Sequence, residues 1–182
     1  MNESDKPLAA YRQLVERLDA FFSRVSRRHP DMLRCAPGCD ECCHRDLSLF
    51  PFEAELLMEA VSRLAPPVRK RTLDRAACAL QDPQAPCPLL EDARCLVYPA
   101  RPVICRTHGL PMLIPGEQGI SLCPLNFKGV LEFGGECVLD LTPVNQILAT
   151  VQTLLAGRAR ARTERVQVSR ALVHRFGSGE RM

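Results

Sequence analysis

Residues 82–125 read DPQAPCPLLEDARCLVYPARPVICRTHGLPMLIPGEQGISLCPL, and this stretch decides what kind of fold the chain can have. It holds eight of the fifteen prolines and four of the ten cysteines. Proline lacks an amide hydrogen and clashes with the carbonyl four residues back, so this density rules out a long helix or a central strand. A segment this long without regular structure is unusual inside a compact domain. Thiolate–metal bonds would supply the missing cross-links, because metal-binding free energy becomes folding free energy in such segments.

On either side the pattern turns helical. From Pro7 to Arg28, Leu8, Tyr11, Leu14, Val15, Leu18, Phe21, Phe22 and Val25 recur every three or four residues, which predicts an amphipathic helix over 7–28. His29-Pro30 ends it, since a residue before proline avoids the α region. DLSLF (46–50) alternates like a short strand. PFEAELLMEAVSRL (51–64) predicts a helix with Leu56, Leu57, Ala60, Val61 and Leu64 on one face, stopped by Pro66-Pro67. A further helix over 68–81 turns Val68, Leu73, Ala76, Ala77 and Leu80 inward and Arg69, Lys70 and Arg71 to solvent. CVLDL (137–141) reads as a short strand. Thr142-Pro143 reads as an N-cap and first-turn proline. The helix they open has Val144, Ile147, Leu148, Val151, Leu154 and Leu155 as its core face, and more helix follows, so C-terminal helices are expected over 143–176. The expected fold is mostly α: a small helical domain with minor short β strands and a long irregular Pro/Cys-rich segment cross-linked by metal.

Length and composition fit one domain over 1–182, with 46% hydrophobic and 25% charged residues. The absence of Trp, with only seven Phe and two Tyr, means that something besides aromatic packing must help hold it. The N-terminus MNESDKPLAA has no apolar leader-like run, and no stretch approaches the roughly 18 apolar residues of a membrane span. A cytoplasmic protein without a membrane partner is expected. Thiols stay reduced in that compartment, so the cysteines read as metal-binding or catalytic ones, not as a disulfide framework. The formal charge of +3 counts every Cys as neutral. Eight thiolates on two divalent metals would move it by −8 + 4, to about −1. Arg158, Arg160 and Arg162 alternate and form no single helical stripe, and no aromatic platform accompanies them, so nucleic acid is not an expected partner.

The first thiol group is Cys35-Ala-Pro-Gly-Cys39-Asp-Glu-Cys42-Cys43-His44. Thiolates two to four residues apart on a turn can converge on one tetrahedral centre, and Pro37-Gly38 supplies the turn. Cys42 and Cys43 point differently, so one suits the local metal while the other faces a second site or stays free. The second group, Cys87, Cys95, Cys105 and Cys123, has gaps too wide for a local knuckle. Its members must converge through the fold, and eight thiols suffice for two four-ligand sites. Four thiolates suit Zn2+ or an iron–sulphur cluster. Arg34, Arg45, Arg94, Arg101 and Arg106 flank the thiols and can offset thiolate charge. His44 and His108 read as hydrogen-bond partners of such a site or as replacements for one thiolate. Cys78 and Cys137 read as small buried hydrophobes.

The strings RCAPGCDECCHRDLSL (34–49), CPLLEDARCLVYPARPVICRTHG (87–109) and SLCPLN (121–126) resemble the YkgJ-type cysteine-cluster family. Its members show a CxxCxxCC-like box and then a C-P-x-L, C-x-x-Y-x-x-R-P-x-x-C-R box. Cys87, Pro88, Leu90, Cys95, Tyr98, Arg101, Pro102, Cys105 and Arg106 fall in register, and the likeness covers about 33–126, including the acidic helix start at Glu53. One departure is the three-residue gap between Cys35 and Cys39. The resemblance implies a zinc- or iron-chelating domain, often described as an iron–sulphur protein, and larger relatives look like flagellin lysine methylases. It also implies Cys35, Cys39, Cys42, Cys43, Cys87, Cys95, Cys105 and Cys123 as metal-binding positions, supported by Tyr98, Arg101 and Arg106.

Four functions compete at this point. The expected one is a carrier of one or two iron–sulphur clusters that exchanges electrons with a protein partner, since no Gly-rich flavin or nicotinamide fingerprint occurs. The alternative is a Zn2+-stapled adaptor or metal carrier. Cys35-x3-Cys39-x2-Cys42 with Gly134-Gly135-Glu136 also has the spacing of a radical S-adenosylmethionine enzyme, although the β/α alternation of those barrels is missing. A thiol oxidoreductase using Cys39 and Cys42 would want a βαβ context that the pattern lacks.

Overall fold

Prolines mark where helices begin, because the missing amide hydrogen is harmless in a first turn whose N–H groups have no helical partner anyway. A computed structural model describes residues 5–36, 38–82, 84–157 and 164–177. In chain order the elements are α1 (Asp5–Arg28), β1 (Ser48–Leu49), α2 (Pro51–Ser62), α3 (Pro66–Ala79), β2 (Leu90–Glu91) and β3 (Arg94–Cys95). There follow α4 (Val103–Thr107), β4 (Met112–Leu113), β5 (Leu139–Asp140), α5 (Leu141–Ala156), β6 (Val166–Gln167) and α6 (Val168–Phe176), with 3-10 turns at Glu41–Cys43 and Tyr98–Ala100. Every strand among the described residues is two residues long, so the fold is mostly α, as the sequence predicts. Within 82–125 the longest regular element is the five-residue α4. Among the described residues no helix is long and apolar enough to cross a membrane.

The elements form two units. The first comprises Met1–Ala36 and Val103–Arg162. Here α1 packs along α5 and α4, burying Tyr11, Leu14, Leu18 and Val25 on one side and Val144, Leu148 and Val151 on the other. Strands β4 and β5 pair in parallel, Met112 opposite Leu139. Arg106 on α4, 10% exposed, pairs with Asp19 on α1 at 2.6 Å. The start of α5 differs from the expected one. Asp140, not Thr142, is the N-cap, its carboxylate accepting from Thr142 N at 2.7 Å. That bond holds the Asp140 carboxyl below the usual range. The helix begins at Leu141, which places Thr142 N at the second helical position, the donor that an N-cap carboxylate at 140 reaches. Leu154 is 62% exposed, because the buried stripe runs through Val144, Leu148, Val151 and Gln152 and leaves 154 on the other side.

The second unit comprises Pro37–Pro102 and Thr163–Met182. Its core joins α2, α3 and α6, with Leu57, Met58, Val61, Ala76, Ala79, Val168, Ala171 and Leu172 buried. In α2, Phe52, Ala54 and Met58 are buried beside Leu57 and Val61, while Leu56 and Ala60 are only half-buried. In α3 the inward stripe is Thr72, Ala76 and Ala79, and Ala77 and Leu80 are exposed, against expectation. Residues 158–163 of the expected C-terminal helix lie outside the described residues. Past them, Val166–Gln167 is strand and helix starts only at Val168. Strand pairing competes successfully there: Ser48 lies opposite Gln167 and Leu49 opposite Val166, antiparallel, and Val168 N donates to Leu47 O at 3.0 Å.

Asp46 secures this return. Its carboxylate accepts from Ser169 N at 3.2 Å and from the Ser169 hydroxyl, and Ser169 is fully buried at the start of α6. Asp46→Ala leaves both donors without an acceptor, which costs about 2 kcal/mol for a buried polar pair. The check is urea unfolding followed by circular dichroism, with Asp46→Asn, which keeps one acceptor, falling between wild type and the alanine variant.

Candidate metal centre

In the second unit, β2 and β3 form an antiparallel hairpin with Leu90 opposite Cys95 and Glu91 opposite Arg94. The two residues of its turn, Asp92 and Ala93, have φ of 51° and 56°. Left-handed conformation at both central positions gives the turn a twist that matches the strands. Glu91 accepts from Arg71 at 3.0 Å and Arg75 at 2.8 Å, and Arg75 Nε also donates to Pro88 O at 3.0 Å, so the hairpin is tied to α3. The hydrogen bond from Arg71, helped by Arg75, holds the Glu91 carboxyl below its ordinary range. Arg71 is thus a partner of the hairpin as well as a solvent-facing charge.

This hairpin presents two thiols. Cys87 sits just before β2, where Leu90 N donates to Cys87 O at 2.9 Å, and Cys95 ends β3. Each sulphur accepts from the backbone N–H two residues on, Cys87 from Leu89 and Cys95 from Val97. Such N–H donors stabilise a thiolate more than a thiol. The 3-10 turn Glu41–Cys43 joins them, since Cys87 N donates to Cys43 O at 2.6 Å. The Cys43 thiol donates to Cys42, and with help from the Cys42 backbone N–H, Arg101 and Arg45 it lowers the Cys42 thiol from 9.0 to about 6 against the opposing effect of burial. Burial pushes Cys87 up to about 11, reinforced by Cys95, Asp46 and Cys42. Burial also raises Cys95, with Cys42 adding and Arg101 opposing. Cys42, Cys43, Cys87 and Cys95 therefore share one electrostatic neighbourhood, and Cys39 lies in the same unit, half-buried. No disulfide joins the cysteines, and among the described residues no three His, Cys, Asp or Glu side chains already stand as a ligand group. The donor set still suits a thiophilic metal: it is all sulphur, partly ionised, and faced by Arg101 and Arg45.

The remaining thiols of the eight, Cys35, Cys105 and Cys123, belong to the first unit. Cys35 Sγ accepts from Asn126 Nδ2 at 3.2 Å. The same amide donates to Gly109 O at 2.6 Å and accepts from Arg34 N at 2.8 Å, with Asn126 only 1% exposed. Asn126 N also closes a turn onto Cys123 O at 3.0 Å. Cys105 lies on α4 and Cys123 is buried.

The other expected residues divide in the same way. Arg101 stacks over the Tyr98 ring at 3.8 Å, and Tyr98 is itself 56% exposed. His44 is exposed and faces Asp40 Oδ2 at 3.3 Å. His108 is half-buried in the first unit, as Arg106 is with its Asp19 partner. Arg94 is exposed in β3 and carries the Glu91 register. Cys78, expected to be buried, is exposed: it lies about 200° around α3 from Ala76. Cys137 is buried as expected, and its thiol donates to Gly134 O at 3.0 Å while burial raises it. The Gly134-Gly135-Glu136 stretch is a turn closed by Cys137 N on Gly134 O at 3.0 Å, with Glu136 3.6 Å from Arg28. Sequence reasoning missed Asn126, Gly109 and Asp46 as residues that hold sulphur-bearing segments. The signal for Asn126 was its place three residues after Cys123.

A thiol lowered to about 6 is ionised at neutral pH. In the metal-free Cys78→Ser protein, which lacks the exposed helix thiol, iodoacetamide at pH 7 is expected to label Cys42 well ahead of Cys87 and Cys95, with peptide mass spectrometry as readout. The Cys42 rate falls as pH drops through about 6, where the thiolate is protonated.

Residues 34–118 match the model of the CxxCxxCC family, described as "Putative zinc- or iron-chelating domain". No curated protein and no solved structure matches the chain. The matched span runs from Arg34 through both thiol boxes to Gln118, so that the cysteines of the 3-10 turn and of the hairpin all lie within it. Over these residues, a little under half of the chain, the sequence is similar to the CxxCxxCC cysteine-cluster family.

Proposed function

We propose that this chain carries thiolate-bound iron–sulphur chemistry and exchanges electrons with a protein partner. The observation that carries the reading is the bond from Cys87 N to Cys43 O at 2.6 Å, which ties the turn bearing Cys42 and Cys43 to the hairpin bearing Cys87 and Cys95, with the Cys42 thiol lowered by its Cys43 neighbour and by Arg101. A metal needs ionised sulphur, and this group supplies one before any metal arrives. Cys42, Cys43, Cys87 and Cys95 would hold the group, and Cys39 would complete or replace one of them. When bound, the cluster supplies a one-electron couple. The chain's own part is to aim N–H donors of Leu89 and Val97 at two sulphurs and Arg101 at the others, which raises the potential by stabilising added negative charge. None of these five cysteines is fully buried, which suits electron exchange at a surface.

Zinc is the second reading, favoured by the hairpin itself: two thiols at its ends, each with an N–H two residues on, make a frame that a structural tetrathiolate zinc also uses. Anaerobic purification with metal and acid-labile sulphide analysis separates the two. Iron with matching sulphide and a broad band near roughly 400 nm is expected. Stoichiometric zinc without colour would replace the redox reading with a metal-stapled domain.

A further inference from the structure

We infer that the solvent side of α5 is an interface for a second copy of this chain, the two α5 helices packing antiparallel about a two-fold axis close to Thr150. The inference goes beyond the metal reading and does not depend on it. Alone among the α-helices described, α5 has no charged side chain in its 16 residues, whereas α1 carries nine in 24. A helix with one face in water ordinarily shows charge there. The buried stripe of α5, Val144, Leu148 and Val151, is already used against α1. A second row, Pro143, Ile147, Thr150, Leu154 and Gly157, repeats at spacings of four, three, four and three, the pattern of a helix–helix seam. Among the described residues nothing covers this row: Pro143, Thr150, Leu154 and Gly157 are exposed, Leu154 at 62%, and Ile147 is half-buried.

The chemistry and shape of the row fit a copy of itself. Thr150 Oγ1 donates to Gln146 O at 2.8 Å and Thr153 Oγ1 to Ala149 O at 2.9 Å, so both hydroxyls are spent within the helix and the face offers carbon to a neighbour. Leu154 stands beside a groove of about 430 Å³ between α5 and the start of α1, lined by Pro7, Ala10, Ile147 and Thr150 and bordered by a single charged residue, Lys6. One face thus holds both a projecting leucine and a hollow, as a two-fold interface requires, because the same patch must fit itself. With the axis just past Thr150, Leu154 of each copy lies opposite the partner's Ile147, and the small Thr150 and Gly157 let the helices approach. A foreign protein is selected and steered largely by charge, and this face offers almost none. Helices that lie on membranes carry a strongly basic polar face, which α5 lacks. The strip is about 24 Å long and, with the edge of α1, about two helix diameters or roughly 20 Å wide. That gives roughly 500 Å² per copy, the lower edge of specific interfaces, so a weak dimer dissociating in the micromolar range is expected.

The test is sedimentation equilibrium of the full chain over a concentration series reaching hundreds of micromolar, in reductant so that the exposed Cys78 cannot cross-link copies. Wild type is expected to pass from monomer to dimer along the series. Leu154→Glu is expected to weaken the dimer about a hundredfold, because each pair would bury two unpaired carboxylates. Circular dichroism should show the helices intact, since the site is exposed in the single chain. Ile147→Lys is expected to act likewise. An equimolar mixture of the two variants is expected to recover the dimer: a mixed pair sets the new carboxylate against the new ammonium at one contact and keeps the native Leu154–Ile147 contact at the other. A wild type that stays monomeric throughout, a dimer indifferent to both substitutions, or two variants that do not pair when mixed would each overturn the inference. Binding of monomeric wild type, but not of Leu154→Glu, to phosphatidylcholine vesicles would also overturn it and put a lipid surface in place of the second copy.

Discussion

Leu172→Ala is expected to destabilise the second unit by about 3 kcal/mol, the range for truncating a fully buried leucine in a core that closes only partly around the cavity. Leu172 is 0% exposed on α6, which packs on both α3 and α2. The urea midpoint should fall by roughly 1–2 M. Leu131→Ala, at a side chain 94% exposed, should stay within about 0.5 kcal/mol of wild type. The wider consequence concerns the family segment. Residues 34–118 lack α6, β6 and the Ser169 partner of Asp46, so a fragment limited to them should give little cooperative unfolding and weak metal retention. A 34–118 fragment that melts cooperatively and keeps its metal would show that α6 is dispensable.

Gly109→Ala is the second large effect, and its mechanism is steric. The new methyl group would occupy the place of Cys35 Sγ and press on Asn126 Nδ2 at 3.2 Å. Either the Cys35 sulphur leaves, breaking its bond from Asn126, or the turn shifts away from the Asn126 clamp. Both routes cost about 2–3 kcal/mol, from overpacking and from a buried amide left short of a partner. Thermal unfolding should report the loss, and Cys35 should become more reactive toward alkylation. Gly116→Ala makes the contrast: at φ +85° with open space around it, that change meets only backbone strain of about 1 kcal/mol. If both variants melt alike, crowding at Gly109 is not the cause.

Much of this architecture could be read along the chain because its signals are local. The three-and-four spacing of Tyr11, Leu14, Leu18 and Val25 identifies α1, and Pro51 and Pro66 open α2 and α3 where proline is best tolerated. The thiol boxes were legible for the same reason, as clusters. What stayed hidden depends on distance in sequence. Asn126 meets Cys35 across 91 residues and Ser169 meets Asp46 across 123, and no periodicity encodes such a meeting. The allotment of Cys35 also escaped notice, because three intervening residues suggest a shared turn while the chain passes from one unit to the other at Ala36. Core faces slipped where a stripe was wide, as at Leu154 and Cys78: hydrophobic character alone does not say which of two neighbouring faces is covered.

The return of the last helix into the second unit sets an order of events during synthesis. The first unit waits for α5, and the second waits for α6, some of the last described residues to leave the ribosome. At translation speeds of about 5–20 residues per second, Cys35 through Cys95 spend on the order of ten seconds outside the tunnel without the packing that seats them. The thiols of the second unit are thus seated only once α6 has docked, and until then they are open to oxidation and to capture by any thiophilic ion.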